Sequence, residues 1–166
     1  MSVTLESNVK KFYDGLAEGV IYARKCTECG AIEFPPHYAC NECGHIETVW
    51  TTVSGKGTLQ SLIMPVALNA NNTLAKVGPY CFGVVKLEEG CSFNSTIFGV
   101  TNEIADALRE RLPVPVHAKF IPMDGYTTLM FEVDDDVVEE AKKEVAAQKA
   151  ARKAAKQAQK AAKAAE

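Results

Sequence analysis

The chain has 166 residues and a hydrophobic fraction of 47%, enough for one packed domain with appendages. The net charge is −3, and residues 137–166 contribute eight basic and four acidic side chains (+4), so residues 1–136 carry −7. The acidic charge of residues 1–136 disfavours nucleic-acid binding that depends on neutralising phosphates. We call these residues the body. No apolar run reaches the roughly 20 residues of a membrane span, and the first residues lack a secretory signal. We therefore expect a soluble, cytoplasmic protein.

The first predicted element is an amphipathic helix over residues 5–19, within an N-terminal segment 1–19. Val9, Phe12, Tyr13 and Leu16 recur at helical spacing on one face, and Gly19 is a suitable end. Such a face either packs on its own domain or docks on a partner, and the sequence leaves both interpretations open.

A structural zinc site is predicted within residues 20–49. Its ligands are Cys26, Cys29, Cys40 and Cys43, arranged as two Cys-x-x-Cys pairs that are ten residues apart and each followed by glycine. Zinc takes four thiolates tetrahedrally, and two cysteines on a tight turn reach one ion together. Glycine after the second cysteine accommodates a left-handed backbone. Four thiolates leave no open position for water, so the predicted role is structural.

Two other uses of these cysteines remain open. One is a rubredoxin-type iron site, which takes similar ligands, and the other is a redox dithiol, which normally uses one such pair. His37 and His45 lie close enough in sequence to replace a cysteine ligand. Arg24 and Lys25 precede the first pair, where they could offset the negative charge of four thiolates.

Residues 50–133 are predicted to form a five-stranded barrel of the OB type. The first strand is expected over 50–66 with Gly55 and Gly57 inside it, as a bulge or bend in a small barrel requires. A short helix is expected over 101–112, with Thr101 or Asn102 as its N-cap. The remaining strands are expected at 80–87, 92–100, 113–123 and 126–133. A five-stranded sandwich would leave similar marks.

Residues 134–166 form an Ala/Lys-rich tail. Their composition favours a helix, and Asp134, Asp135 and Asp136 suit the positive end of its dipole. After Val145 the tail has no large apolar residue, so we expect a solvated, fraying helix.

No motif of a known catalytic class stands out, and we predict no catalytic residue. Cys81 and Cys91 are the spare thiols, and His117 is the one histidine outside the cysteine segment that could serve them as a base. Other residues could bind a nucleotide, but ordinary surface and core roles are commoner for them. These are Lys56, Lys76, Lys86 and Lys119, and the aromatic residues Tyr80, Phe82, Phe93 and Phe98.

Taken together, these segments resemble a family of OB-fold proteins with an N-terminal rubredoxin-like zinc ribbon, formerly a domain of unknown function. The resemblance covers about residues 8–133: the helix, the segment CTECGAIEFPPHYACNECG, then SGKGTLQS, PYCFGVVKLEEG and PVPVHAKF. The tail lies outside it.

The resemblance implies a non-catalytic companion subunit of a thiolase-type acyl-CoA enzyme. In such complexes the thiolase subunit supplies the catalytic cysteine and histidines. The ribbon and helix brace it, and the barrel lies near the acyl-CoA entrance. By position, the SGKG segment and the strand from Tyr80 could face coenzyme A. A specific candidate is the small subunit of benzoylsuccinyl-CoA thiolase, in anaerobic aromatic degradation.

Two other functions are weighed against this one. OB folds and zinc ribbons also bind nucleic acids, although the acidic body makes that partner unfavourable. The other is a stand-alone enzyme using Cys81 or Cys91.

Overall fold

The computed structural model describes residues 7–66 and 72–163. Within these ranges the chain forms an N-terminal helix, a small sheet, a closed barrel and a long C-terminal helix, which confirms the predicted mainly-β architecture. The helices are Ser7–Ala17 (α1), Asn72–Val77 (α2), Ala105–Arg111 (α3) and Asp135–Lys163 (α4). The strands are Ile21–Cys26 (β1), Ile32–Glu33 (β2), Thr48–Val53 (β3), Lys56–Ile63 (β4), Tyr80–Leu87 (β5), Ser92–Phe98 (β6), Val114–Met123 (β7) and Tyr126–Val133 (β8).

The cysteine-bearing segment is built on an antiparallel sheet with the strand order β2-β1-β3. Helix α1 packs against β1 of this sheet and against β8 of the barrel. The predicted apolar face is used inside the protein, since Leu16 is buried and Phe12 and Tyr13 are half-buried. Val9 is 42% exposed at the other end of that face, and residues 5 and 6 of the predicted helix lie outside the described residues.

The barrel closes in the order β4-β5-β6-β8-β7, with β7 pairing back onto β4. Every pairing is antiparallel except β6 with β8, where Ile97 lies opposite Phe131. Helix α3 lies between the third and fourth barrel strands in sequence. This arrangement is that of a five-stranded Greek-key OB barrel, and the sandwich alternative is wrong.

The single strand predicted over 50–66 is wrong: it is two strands in two different sheets. β3 pairs with β1 of the small sheet, whereas β4 begins the barrel. The chain turns between them at Gly55, whose φ is +74°. A Cβ there would lie 2.6 Å from Ile21 Cδ1 and 2.7 Å from Ala118 Cβ, so glycine lets the two sheets approach. The bulge of β4 lies between Leu59 and Ser61.

One continuous core joins the helix, the small sheet and the barrel. Leu59, Val85, Ile97 and Phe131 are each no more than 1% exposed within the barrel. The same cluster extends to Leu16, Ile21, Ala23, Phe34 and Val53. The small sheet is therefore fixed to the barrel by shared apolar packing. The division into segments 1–19, 20–49, 50–133 and 134–166 stays a prediction.

One helix prediction needs correction, and one helix was missed. The N-cap of α3 is Ile104 and not Thr101 or Asn102, because residues 102–104 first form a turn whose hydrogen bonds go to the Thr101 carbonyl. Helix α2 was not predicted. Its Leu74 covers a second small cluster with Tyr80, Phe98 and Ile121.

The first part of α4 packs on the body and the rest projects from it. Val138 and Ala141 are buried, and Arg111 of α3 forms ion pairs with Glu140 and Glu144, each at 2.9 Å. Residues 146–157 are all exposed, as expected for a solvated tail. Within the described part of the chain, no helix is long and apolar enough to cross a membrane.

Candidate metal centre

The four predicted cysteines converge on one point. Their Sγ atoms all lie within 4.8 Å of one another, and the Cys26–Cys43 and Cys29–Cys40 pairs are separated by 3.6 Å. Cys26 and Cys40 are buried, whereas Cys29 and Cys43 face the surface. The cluster thus lies at the tip of the small sheet, half embedded in it.

Two turns of matching geometry present the sulfurs. The Cys26 N–H donates to the Ala31 carbonyl, and the Cys40 N–H donates to the His45 carbonyl, each at 2.9 Å. Four residues after each first cysteine, a glycine N–H donates back to that cysteine's carbonyl, at 3.2 Å from Gly30 and 3.0 Å from Gly44. Both glycines have φ near +77°, which confirms the predicted left-handed conformation.

The backbone of these turns favours thiolates, whereas the closeness of the sulfurs opposes them. The backbone N–H of Cys29 is the main reason that the pKa of Cys26 falls to about 6. The backbone N–H of Ala31 also lowers the pKa of Cys29, but the neighbouring Cys43 thiol helps to raise it above its usual value. The pKa values of Cys40 and Cys43 are likewise raised, because burial and neighbouring thiols outweigh the backbone groups. A cation among the sulfurs would remove this conflict.

The donor set fits a tetrahedral zinc ion. Zinc–sulfur bonds of about 2.3 Å place ligand sulfurs about 3.8 Å apart, close to the observed pairs of 3.6 Å. Four thiolates would fill the coordination sphere and leave no position for substrate or water. An ion here would hold the two turns together and would do no chemistry on a substrate.

Glu33 connects the second turn to the sheet, a role that no motif in the sequence predicted. It is 6% exposed, and its carboxylate accepts hydrogen bonds from Asn41 N at 2.8 Å and Asn41 Nδ2 at 2.5 Å. Asn41 directly follows Cys40. Glu33 therefore fixes the second turn relative to β2.

Arg24 lies beside the first turn, as expected, but its neighbours are aromatic rings as well as backbone. Its guanidinium carbon lies 4.7 Å from the Tyr38 ring centre and 4.8 Å from that of Trp50. Arg24 Nη2 also donates to the Thr48 carbonyl at 2.5 Å, and Nε donates to Thr48 Oγ1 at 2.8 Å. Trp50 could not be predicted as a neighbour of this site, because only the pairing of β1 with β3 places it opposite Arg24.

These residues border a groove between α1 and the small sheet. We call it the aromatic groove, and it is about 190 Å³ in volume. Its lining includes Val9, Phe12, Arg24, Pro36, Tyr38 and Trp50. Tyr38 is 52% exposed, so a large aromatic side chain lies open to solvent here.

The two nearby histidines remain outside the cluster of four sulfurs. His37 is exposed, and the backbone carbonyl of half-buried His45 accepts the Cys40 N–H. Neither belongs to the group of side chains placed to hold a metal among the described residues.

The spare thiols and His117 are not arranged as a catalytic pair. Cys81 is fully buried in the barrel, and burial raises its pKa to about 12. Burial also raises the pKa of Cys91. His117 Nδ1 is hydrogen-bonded to Asp134 Oδ1 at 2.7 Å, and its strand partners are Lys56 and Glu132. Neither thiol has the properties of an activated nucleophile.

Most of the candidate nucleotide-binding residues have structural roles. Tyr80 and Phe98 are buried, and Phe93 packs with Phe34 at 4.7 Å between ring centres. Phe82 is the exception, at 39% exposed. Lys119 pairs with Glu132 at 2.5 Å, whereas Lys56, Lys76 and Lys86 are exposed. The barrel therefore presents few of the aromatic faces that a stacking platform for bases needs.

Comparisons with known proteins match the ribbon and the fold. Residues 14–45 match the family described as the ChsH2 rubredoxin-like zinc ribbon domain. A curated relative from Methanothermobacter thermautotrophicus, a DUF35 domain-containing scaffold protein, is 34% identical over 76 residues. The match covers 44% of this chain and about half (54%) of the relative's length.

Comparison with solved structures gives two matches, and the first is similar in fold. A chain of an Ltp2-ChsH2(DUF35) aldolase has a TM-score of 0.55 and 17% identity, covering 79% of this chain and 98% of its own. A DUF35-family protein of unknown function from Sulfolobus solfataricus has a TM-score of 0.47 and 17% identity, covering 75% and 84%. The ribbon match and the DUF35 relative confirm the family resemblance seen in the sequence, and the aldolase chain supports the fold.

Proposed function

We propose that this chain is a non-catalytic zinc-ribbon and OB-fold subunit of a thiolase-type acyl-CoA enzyme, where it braces the catalytic subunit. The observation that carries the proposal is the four-cysteine ribbon fixed by a shared core to a closed barrel. Support comes from the curated relative, described as a scaffold protein, and from the fold of the chain in the Ltp2-ChsH2 aldolase.

The thiols support dependence on a partner. Cys81 is buried with a raised pKa, and Cys91 has a raised pKa as well. A metal held by four thiolates would have no open position for catalysis. We therefore expect no acyl-transfer activity from the isolated chain, and we assign the catalytic groups to the partner.

The aromatic groove is the proposed contact with the partner. Protein interfaces derive most of their energy from a few Trp, Tyr and Arg residues at partly enclosed positions. Trp50, Tyr38 and Arg24 stack together here beside exposed Val9. Because the rings and guanidinium are already ordered by mutual stacking, binding a partner would cost little side-chain entropy.

The barrel offers a second apolar surface for the same complex. Ile63 and Phe82 are cross-strand partners on β4 and β5, and they are 69% and 39% exposed. Val66 and Val77 are exposed as well. We propose that the barrel lies close to the acyl-CoA site, and we assign no residue to coenzyme A. The finer assignment to benzoylsuccinyl-CoA rests on the sequence resemblance.

The test begins with the tagged full-length chain in its native host. Recovery of a thiolase-like protein near one-to-one, with about one zinc per chain, supports the proposal. Recovery of the chain alone, or only with nucleic acid that nuclease treatment removes, contradicts it. Assay of the separated and recombined proteins then shows whether activity needs both.

Substitutions locate the contact. Tyr38→Ala and Trp50→Ala should each weaken the complex about 30-fold, as expected for a contact worth about 2 kcal/mol. Phe82→Ala tests the barrel surface separately from the groove, and zinc content checks that the ribbon is intact in each variant. Unchanged affinity in both ribbon variants would exclude the aromatic groove as the contact.

A further inference from the structure

The projecting part of α4 carries basic side chains on one side only. Lys149, Arg152, Lys153 and Lys156 surround one shallow groove on its surface, and the sequence continues the same spacing with Lys160 and Lys163. At 3.6 residues per turn, all six positions fall within about 100° of the helix circumference. We call this set the basic stripe. Residues 146–163 include no acidic residue.

The stripe opposes the stability of its own helix. Lys149 and Lys153, Arg152 and Lys156, and Lys156 and Lys160 are four residues apart, and like charges at this spacing destabilise a helix. Among the described side chains of the stripe, one ion pair relieves the charge, between Lys149 Nζ and Glu103 Oε1 at 3.3 Å. The positive charges of exposed Arg152, Lys153 and Lys156 are therefore available to an external anion.

The composition of the rest of the tail limits which kind of anionic partner the basic stripe can bind. Residues 146–163 outside the stripe are alanine and glutamine. A helix that lies in a membrane surface needs large apolar residues opposite its basic face. A specific protein interface needs aromatic or large apolar anchors and is usually poor in lysine. The tail offers neither kind of anchor, so charge is its one means of attraction.

We propose that the basic stripe binds the phosphate backbone of nucleic acid without sequence specificity. Backbone binding requires regularly placed Lys and Arg and little else. The stripe spans about 21 Å from residue 149 to residue 163 at 1.5 Å per residue. This contact differs from a nucleic-acid site on the barrel or ribbon, and it does not depend on the proposed companion function.

The outer part of the basic stripe lies far enough from the acidic body for a phosphate to bind there. Lys149 still contacts Glu103 of the body, and Arg152 borders a groove with Glu103 and Asp106. Residues 156–163 lie about 10–21 Å beyond Lys149 along the helix, whereas charges in solution at 0.1 M salt are screened over about 10 Å. The repulsion between the body, at −7 over residues 1–136, and a bound phosphate is thus largely screened along the outer stripe.

The experiment measures fluorescence anisotropy of a labelled 20-base-pair mixed-sequence DNA duplex titrated with the zinc-loaded full-length chain at 20–200 mM KCl. We expect binding at low salt that weakens steeply, with a slope of log K against log salt as large as about −5 for six phosphate contacts. Arg152→Gln, Lys153→Gln and Lys156→Gln together should reduce that slope by about 3 and weaken binding at 50 mM KCl at least tenfold.

A matched variant controls for helix content and for glutamine itself. Ala150→Gln, Ala151→Gln and Ala154→Gln place three glutamines on the other side of the same turns, and this variant should bind DNA like the unmodified chain. Circular dichroism confirms equal helicity in all three proteins. No binding at 20 mM KCl, or equal binding by the two triple variants, overturns the proposal. Tighter binding to vesicles with 30% phosphatidylserine than to DNA at equal salt also overturns it, in favour of lipid.

Discussion

The zinc ribbon and the barrel are stabilised by different interactions. In the barrel, Leu59, Val85, Ile97 and Phe131 are almost completely buried. Beyond β1 the ribbon buries little: among residues 27–47, the buried positions are Glu33, Phe34 and Cys40. Zinc can stabilise a segment too small to form its own core. The comparison indicates that the barrel folds on apolar burial, whereas the two cysteine turns depend on metal.

Metal removal should have the largest effect and should be confined to the ribbon. A structural zinc site contributes on the order of 10 kcal/mol, so chelation or Cys29→Ser should unfold the two turns while the barrel stays folded. Trp50 is the one tryptophan of the chain and lies in the ribbon sheet, so its fluorescence reports on this region alone. We expect its emission to change as zinc falls from about one per chain to none.

Cys91→Ser is the control for this experiment, because Cys91 lies outside the cluster. It should leave both zinc content and Trp50 emission unchanged. If zinc removal left Trp50 emission and the hydrogen exchange of residues 26–47 unaltered, the ribbon would be stable without metal and the comparison would fail.

A cavity in the barrel core should destabilise the barrel while the ribbon keeps its zinc. Phe131 is 1% exposed and packs against Phe93 at 5.5 Å between ring centres. Phe131→Ala should lower the free energy of unfolding by about 3–5 kcal/mol, measured by chemical denaturation, with zinc still bound in the native state. Phe82→Ala, at a position already 39% exposed, should cost less than about 1 kcal/mol. Equal losses would contradict the assignment of Phe131 to the core.

A substitution at Gly55, where the small sheet meets the barrel, should have an intermediate effect on the free energy of unfolding. Gly55→Ala combines a left-handed φ of +74° with close approach to Ile21 and Ala118, and we expect a loss of about 2–3 kcal/mol. Gly19→Ala is the matched control, because its φ is +77° but nothing lies within 4 Å of the added Cβ. It should cost about 1 kcal/mol. A difference near zero would show that the sheets can separate at Gly55 without cost.

The parts of this molecule that sequence predicted well are those with local rules. The cysteine spacing and the two glycines define the metal site within 19 residues, and runs rich in β-branched and aromatic residues, bounded by turn residues, mark the strands Tyr80–Leu87 and Tyr126–Val133. Pairing between distant strands has no such local mark. Strand pairing decides both features that could not be predicted. It places Trp50 beside Arg24, and it divides one apolar run at Gly55 between two sheets.

The ion pairs between α3 and α4 should give the smallest effect, and they test where the body ends. Arg111 contacts Glu140 and Glu144 with its side chain 33% exposed, so solvent screening limits each pair to a modest contribution. Arg111→Ala should cost about 1 kcal/mol and should speed hydrogen exchange in residues 137–145, with no change in zinc content.

Lys142→Ala is the control: it removes an exposed pair with Glu139 within α4 and should change stability by less than about 0.5 kcal/mol. Equal effects of the two changes would mean that apolar burial alone holds α4 on the body, and that charge does not help to set the boundary between body and tail.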